Sequence, residues 1–362
     1  MRYKFIDNIF SQKRHSIYIL FVMAMLALLT GCSQTKHVAE SETLVDRVKI
    51  LSSDKRIKAS DYKNYIRQNA NTRWVNLVKV PLAIYNLSGS DTTRRWNKFV
   101  RRIGEAPVIY DEELTQYSQK ALTNAMKNRG YLHGTCYADT TTHNKKTTVT
   151  YHLTPGNRYY IRQVNYAFDN YDIRECVLSD SANAILKPGI PLNTETLYKE
   201  RDRIIKHLRN SGYYRINNEY ISFTADTLAY STGVTLTLHF SRPIGTDNDG
   251  DYQVHKISKI HLYEDVASQD STCDSTIYKD VTYHHPSKIK IYRRVYDRVL
   301  QIRPNSPYRE SQIQTTHNKL GALSAVKYST IRLTNSDEAP YTLDAHIFVE
   351  TTKPHSLSLE LE

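Results

Sequence analysis

The chain has 362 residues, with 49 Lys plus Arg against 37 Asp plus Glu, 40% hydrophobic residues, and 28 tyrosines beside 8 phenylalanines. This composition carries none of the biases of a disordered tail, a collagen-like rod or a polytopic membrane protein, and the length gives room for two or three domains. The formal charge of +12 points to nucleic acid only in a compartment that holds it.

Arg2, Lys4, Lys13 and Arg14 precede an apolar stretch from Ser16 to Leu29, too short to span a bilayer and followed by small residues. Residues 1–31 therefore read as an export signal. Cys32, directly after Thr30-Gly31, resembles a bacterial lipobox cysteine; the resemblance implies cleavage before it and acyl chains that anchor the protein in membrane lipid. Ser33 follows rather than an aspartate, and likeness to lipoprotein sorting gives an outer-membrane destination facing the periplasm. Nucleic acid is scarce there, so the expected contacts of a basic chain are anionic lipid or acidic protein, and no nucleic acid. Cys136, Cys176 and Cys273 lack CxxC spacing, which allows at most one disulfide and makes buried free thiols the expectation.

Residues 32–42 are a polar tether. A repeating unit follows, first over residues 43–158 with an insertion at 70–106. Val48 and Ile50 mark its opening strand, and a short helix capped near Ser60 or Asp61 carries Tyr62, Tyr65 and Ile66. In the insertion, Trp96, Phe99, Val100 and Ile103 fall at i, i+3, i+4 and i+7 of a helix whose other positions hold Arg94, Arg95, Lys98, Arg101 and Arg102. Such a helix either packs its stripe on the domain or lies in a membrane interface, with Arg95, Trp96, Phe99 and Arg102 as contacts. Asp111 then caps a helix whose apolar stripe is read as Leu114, Tyr117, Ala121, Leu122 and Ala125, and Gly130 ends it. Val149, Tyr151 and Leu153 alternate with polar residues as a half-buried strand.

The pattern recurs over residues 159–243, with Val164, Tyr166 and Phe168, a helix capped by Asn193 or Thr194 and ended by Gly212, and the alternating Val234, Leu236, Leu238 and Phe240. Residues 244–251 form a linker whose Asp247, Asp249 and Asp251 begin a calcium-loop spacing that fails at its twelfth position, Ser258. A third copy over 252–351 carries Ile260, Leu262, Ile313, Leu320, Leu343, Ile347 and Val349, with an insertion at 265–292. Each unit is strand, helix, helix, strand, strand, and the expected fold is α+β: three-stranded mixed sheets, each covered by two helices, in an elongated tandem array.

The tandem βααββ unit behind an export signal resembles the polypeptide-transport-associated (POTRA) domains of the BamA/TamA family of outer-membrane assembly factors. With the lipobox and the insertion, KVPLAIYNLSG at 79–89 and WNKFVRRIGEAPVIYD at 96–111, it resembles the TamA-like lipoproteins of Bacteroidetes. The resemblance implies a non-enzymatic arm that receives unfolded outer-membrane proteins, or a TamB-like inner-membrane-anchored partner, and delivers them to a β-barrel. In the family a barrel follows the last such domain; residues 352–362 read as the start of a barrel strand, with the barrel itself truncated away or separately encoded. A structural lipoprotein with no assembly role of its own is the alternative.

In the POTRA sheet the last strand is central, so the strand before it has an open edge that can pair with an extended client. The candidate edges are residues 132–139, 216–224 and 329–333, represented by Leu132, Cys136, Ile216, Tyr220, Ser329 and Ile331. No GxSxG, HExxH, phosphate loop or paired CxxC is present, and no enzyme activity, cofactor or metal is expected. His284 and His285 point apart on a strand, and His255 and His261 are too distant to share a ligand.

Overall fold

The computed structural model describes residues 34–74, 78–227, 232–243, 250–266, 273–286 and 289–352. The expected export signal, the expected lipidation site Cys32, most of the 244–251 linker and the terminal run 353–362 lie outside the described residues. The chain divides into two compact units, residues 1–159 and 160–362.

The first unit opens with β1 (Leu44–Ser52) and a 3-10 turn (Ala59–Tyr65). Two insertion helices follow, α1 (Val80–Asn86) and α2 (Arg95–Ile103), and then α3 (Glu112–Asn128), β2 (Thr135–His143) and β3 (Lys146–Thr154). The sheet order is β1-β3-β2, with β1 parallel and β2 antiparallel to the central β3. Asn144 and Lys145, both at positive φ, make the two-residue turn that joins β2 to β3. Asp111 caps α3 by accepting a hydrogen bond from Leu114 N at 3.2 Å.

The inner face of α3 departs from the expected stripe. Tyr117 is exposed, and the buried positions are Thr115, Ser118, Leu122, Ala125 and Met126. Thr115 and Ser118 are tolerated inside because their hydroxyls donate to the carbonyls of Asp111 and Leu114, while Ser118 Oγ also accepts from Arg67 N. Leu122, Met126, Tyr62, Val149, Tyr151 and Leu153 fill this core.

The insertion is fastened to β1 by a buried cation. Lys79, 2% exposed, reaches Asp46 Oδ1 at 3.0 Å and donates to Val45 O at 3.2 Å, and Arg73 joins the same carboxylate oxygen at 3.0 Å. Burial lowers Lys79 below the ordinary lysine range even beside Asp46. Burial would raise the Asp46 carboxyl, but its hydrogen bond from Lys79 and the Lys79, Arg73 and Arg47 charges more than offset this and hold it below the carboxylate range. The two shifts give the pair opposite signs. The Lys79 side governs, because the ammonium is almost wholly out of water whereas Asp46 retains 20% exposure.

The second unit contains two sheets. The first is built from β4 (Tyr160–Phe168), α4 (Tyr171–Ser179), α5 (Thr194–Asn210), β5 (Ile221–Asp226) and β6 (Gly233–Phe240), in the order β4-β6-β5. Asn193, not Thr194, caps α5, accepting from Glu195 N at 2.9 Å. The second comprises β7 (Lys256–Glu264), β8 (Asp274–Tyr278), β9 (Val281–His285), α6 (Arg293–Val299), α7 (Glu310–Gly321), β10 (Val326–Asn335) and β11 (Thr342–Thr351). Its order, β10-β11-β7-β9-β8, makes it five-stranded where three strands were expected. The extra pair is the 265–292 insertion, a hairpin turned by Lys279 and Asp280 at positive φ, with β9 parallel to β7. Each sheet has its own core, and the α+β class with repeated strand-helix-helix-strand-strand order is as the sequence indicates.

A dense joint links the two sheets of this unit. Arg209 bridges Glu310 at 2.6 Å, Asn210 Oδ1 accepts from Ser311 N, and Tyr214 meets Tyr308 edge to face at 5.1 Å. Gly212, at φ +106, accepts from His255 N, and a Cβ there would lie 2.5 Å from Val254 Cγ1. Asp251, expected in an open linker, is buried and accepts from the Tyr220 hydroxyl at 2.8 Å; burial first, and this hydrogen bond after it, push Tyr220 up to about 12.

Candidate functional site: three open strand edges

Among the described residues no strand pairs with the outer side of β2, β5 or β10. Which backbone groups these edges present follows from the ladders, because opposite residues in an antiparallel pair alternately exchange hydrogen bonds or leave their N–H and C=O facing outward. Ser336 N bonds Thr342 O, so in the β10–β11 register the outward-facing groups belong to Ser329, Ile331, Leu333 and Asn335. Ser241 N bonds Tyr220 O, which leaves Ile221, Phe223 and Ala225 facing outward on β5. The two-residue turn fixes His143–Lys146 as a bonded pair, leaving Cys136, Ala138, Thr140 and Thr142 outward on β2. The lead residues of all three rows, Cys136, Ile221 and Ser329, turn their side chains into the core while their backbone serves the edge.

Of the expected edge residues, Cys136, Ser329 and Ile331 therefore lie on the edges. Leu132 does not: it sits in the turn before β2. Ile216 and Tyr220 also precede their strand; Ile216 is wholly buried, and Tyr220 closes a 3-10 turn (Asn218–Tyr220), its carbonyl taken by Ser241 and its hydroxyl by Asp251. The signal was the Asn217-Asn218 pair: Asn217 Oδ1 accepts from Glu219 N at 2.8 Å and caps the turn that delays the start of β5. One outward carbonyl is already partnered, because His317 Nε2 lies 3.2 Å from Ser329 O. Phe223, Ala138 and Leu333 fall within the expected edge ranges, and the hairpin registers show that their backbone groups face outward.

The parallel edges are closed differently. Val45 N bonds Val108 O and Tyr110 N bonds Thr43 O; Gly189 N and Ile190 O pair with Ile161; Ile257 N bonds Ser306 O. In each case the segment entering the second helix covers the start of the first strand, and in the last sheet β9 occupies the next stretch. Beyond these starts β1 and β4 pair with no further strand among the described residues, and β8 is a second open edge of the last sheet; the antiparallel edge that follows the second helix recurs in all three sheets.

The thiol of Cys136 is pushed up to about 11 by burial, which suits a packing residue rather than a reactive one. All three described cysteines are free; Cys136 is buried, and Cys176 and Cys273 are half-buried. On the face of the last sheet that carries Phe348, His261 Nδ1 and His284 Nε2 approach to 3.2 Å, and Tyr263 stacks on His284, at 4.4 Å, and on Phe348. The β9 hairpin brings His284 to His261, a meeting invisible in the 23-residue separation. Among the described residues no group of three or more His, Cys, Asp or Glu is placed to hold a metal ion.

The insertion helix α2 places its stripe outward. Asn97 and Val100 are buried beneath it, while Trp96, Phe99 and Ile103 are 62%, 55% and 55% exposed. Arg95, Lys98 and Arg102 are exposed beside them, whereas Arg101 turns inward to Ser88 Oγ and Gly89 O. Packing of the stripe on the domain, one of the two sequence expectations, is thus limited to Val100.

No protein-family model matches the chain, and no curated protein does. Solved structures that match include POTRA3-5 of BamA from Haemophilus influenzae, at 9% identity over 87% of this chain and 99% of that one, with a TM-score of 0.42. POTRA1-3 of the periplasmic domain of Omp85 from Anabaena matches at 10% identity, 87% and 98% coverage and a TM-score of 0.29. The N-terminal domain of Omp85 from Thermosynechococcus elongatus matches at 12%, 87% and 100%, with a TM-score of 0.28.

Proposed function

We propose that this chain is the periplasmic POTRA arm of an outer-membrane lipoprotein, anchored through Cys32, that takes extended outer-membrane proteins or a TamB-like partner by strand addition and hands them to a β-barrel. The observation that carries this reading is the recurrence, in three sheets, of an open antiparallel edge on the strand that follows the second helix, with the start of the first strand covered. Backbone pairing is indifferent to client sequence, as a receptor for many clients requires.

The energetics favour transient capture. Three outward residues on an edge offer about six hydrogen bonds, each contributing roughly 0.5–1.5 kcal/mol net. Ordering the client costs about 1–2 kcal/mol per residue, which nearly cancels that gain. Side chains beside the edge, such as Tyr137, Phe223 and Tyr328, supply the surplus, and binding stays weak enough for release.

Photoreactive side chains at the exposed positions Asp139, Thr224 and Arg332 test the mechanism against a control at Gln116 on α3. Unfolded outer-membrane protein should crosslink to the three edge positions and not to the control. Equal labelling of all four would refute strand addition.

A further inference from the structure

The polar segment expected to be a free tether is instead strapped to the insertion. Lys36 Nζ donates to Asn86 O at 2.8 Å and Ser88 O at 3.0 Å, His37 Nε2 lies 3.2 Å from Ser88 O, and Asn86 Nδ2 donates to Gln34 O. Val38, 7% exposed, packs with Leu44 and Leu82. Ser88 is also held by Arg101 of α2, so a single residue joins the strap to that helix. Cys32 precedes Gln34 by two residues, and two residues of chain reach about 7 Å at most.

The helix beside this strap has the chemistry of a bilayer surface. Trp96 and Phe99, with ring centroids 6.0 Å apart, and Ile103 form one outward apolar face. Arg95, Lys98 and Arg102 flank it, and α2 carries no acidic residue. A soluble domain gains nothing by leaving Trp, Phe and Ile in water on one helix face, whereas a lipid interface accepts aromatic rings among headgroups and cations against phosphate.

We propose that the α1–α2 insertion is a membrane footing: the Trp96–Phe99–Ile103 face seats among the headgroups of an anionic phospholipid leaflet beside the acyl chains of Cys32, and the strap holds the first unit against that surface. This rests on the lipoprotein reading of Cys32 but not on client capture, and the two fail separately. The acyl chains supply the attachment. The footing supplies orientation.

The test uses the chain from Ser33 onward, which cannot be acylated, with phosphatidylcholine vesicles containing about one-third phosphatidylglycerol and with pure phosphatidylcholine vesicles. The chain should co-sediment with the anionic vesicles. Trp96→Ala/Phe99→Ala should weaken binding at least tenfold, and Arg95→Gln/Arg102→Gln should weaken it by about fivefold per charge and reduce the preference for anionic lipid. All four side chains are exposed, so the fold should survive, and circular dichroism checks that it does. In the acylated protein, brominated lipids should quench Trp96, and Lys36→Ala/His37→Ala should reduce that quenching while leaving vesicle binding of the acyl-free chain intact. Absence of binding to anionic vesicles, or unchanged binding by Trp96→Ala/Phe99→Ala, would overturn the proposal. So would concentration-dependent self-association that both aromatic substitutions abolish while lipid has no effect.

Discussion

Removing Asp46 should destabilise the first unit far more than removing its partner Lys79. In Asp46→Ala the Lys79 ammonium keeps, among the described residues, only Val45 O in a site where the side chain is 2% exposed. Breaking a buried pair from one side costs about 3–5 kcal/mol, and the partial exposure of Asp46 places this case near 3 kcal/mol. Lys79→Met removes the buried charge together with the bridge and retains the stem's volume, while Asp46 keeps Arg73 at 3.0 Å; the expected cost is below about 1.5 kcal/mol. The double variant should resemble Lys79→Met, giving a coupling energy of about 3 kcal/mol, the whole cost of Asp46→Ala. Urea unfolding of the acyl-free chain by circular dichroism measures the stabilities. Tryptophan anisotropy assigns the transition, since both tryptophans, Trp74 and Trp96, lie in the first unit. Equal costs for the two single variants, adding in the double, would refute the view that the buried ammonium governs this bridge.

Two further outcomes concern the last sheet. Burial first, and neighbouring imidazoles after it, lower His261, His284 and His346 below the usual histidine value of about 6.5, with Asp344 opposing at His261 and His346. The unfolded chain then binds protons that the fold excludes, so their contribution is complete above about pH 6.5 and is lost as pH falls through that value towards the lower folded ones. The urea midpoint should drop between about pH 7 and about pH 5, and His261→Gln/His284→Gln should shrink that drop; an unchanged pH dependence would dismiss the stack as its source. Tyr296→Phe should cost about 1.5–3 kcal/mol, because its hydroxyl donates at 2.9 Å to Glu264, a carboxylate 3% exposed whose other oxygen accepts from Lys290 N. Thermal unfolding checks this, and a loss below about 0.5 kcal/mol would mean that water replaces the hydroxyl.

The central strands were legible because Val149-Tyr151-Leu153, Val234-Leu236-Leu238-Phe240 and Leu343-Ala345-Ile347-Val349 alternate strictly, and a strand covered on one face must alternate. The helix ends were legible through Asp111, Asn193, Gly130 and Gly212. The edges were less so. Their outer positions are polar on both faces, as in the Thr140-Thr141-Thr142 run, so period two fades and the bounds slipped towards Leu132 and Ile216. The β8–β9 hairpin consists of five-residue strands, too short for periodicity to separate them from a loop, and only the Lys279-Asp280 turn marks it. The outward direction of Trp96 and Phe99 was open because an amphipathic stripe specifies a face but not what that face meets. Asn97, seated by Gly89 N and Asp91 O, decides it by holding the opposite side inward.

The joint around Gly212, Arg209 and Tyr308 holds β5 and β10 on one compact body, so that under the proposed strand addition the second unit would act as a bivalent receptor. A client segment captured on either edge raises the local concentration of its own neighbouring residues at the other, so two weak pairings act with an avidity neither has alone. That gain depends on the spacing between the two client segments: it vanishes when the intervening chain cannot span the edges, peaks when its length matches, and declines for longer loops. Selection among clients whose individual strands look alike could then rest on the distance between strands, a property of the client's hairpins and not of any side chain in them.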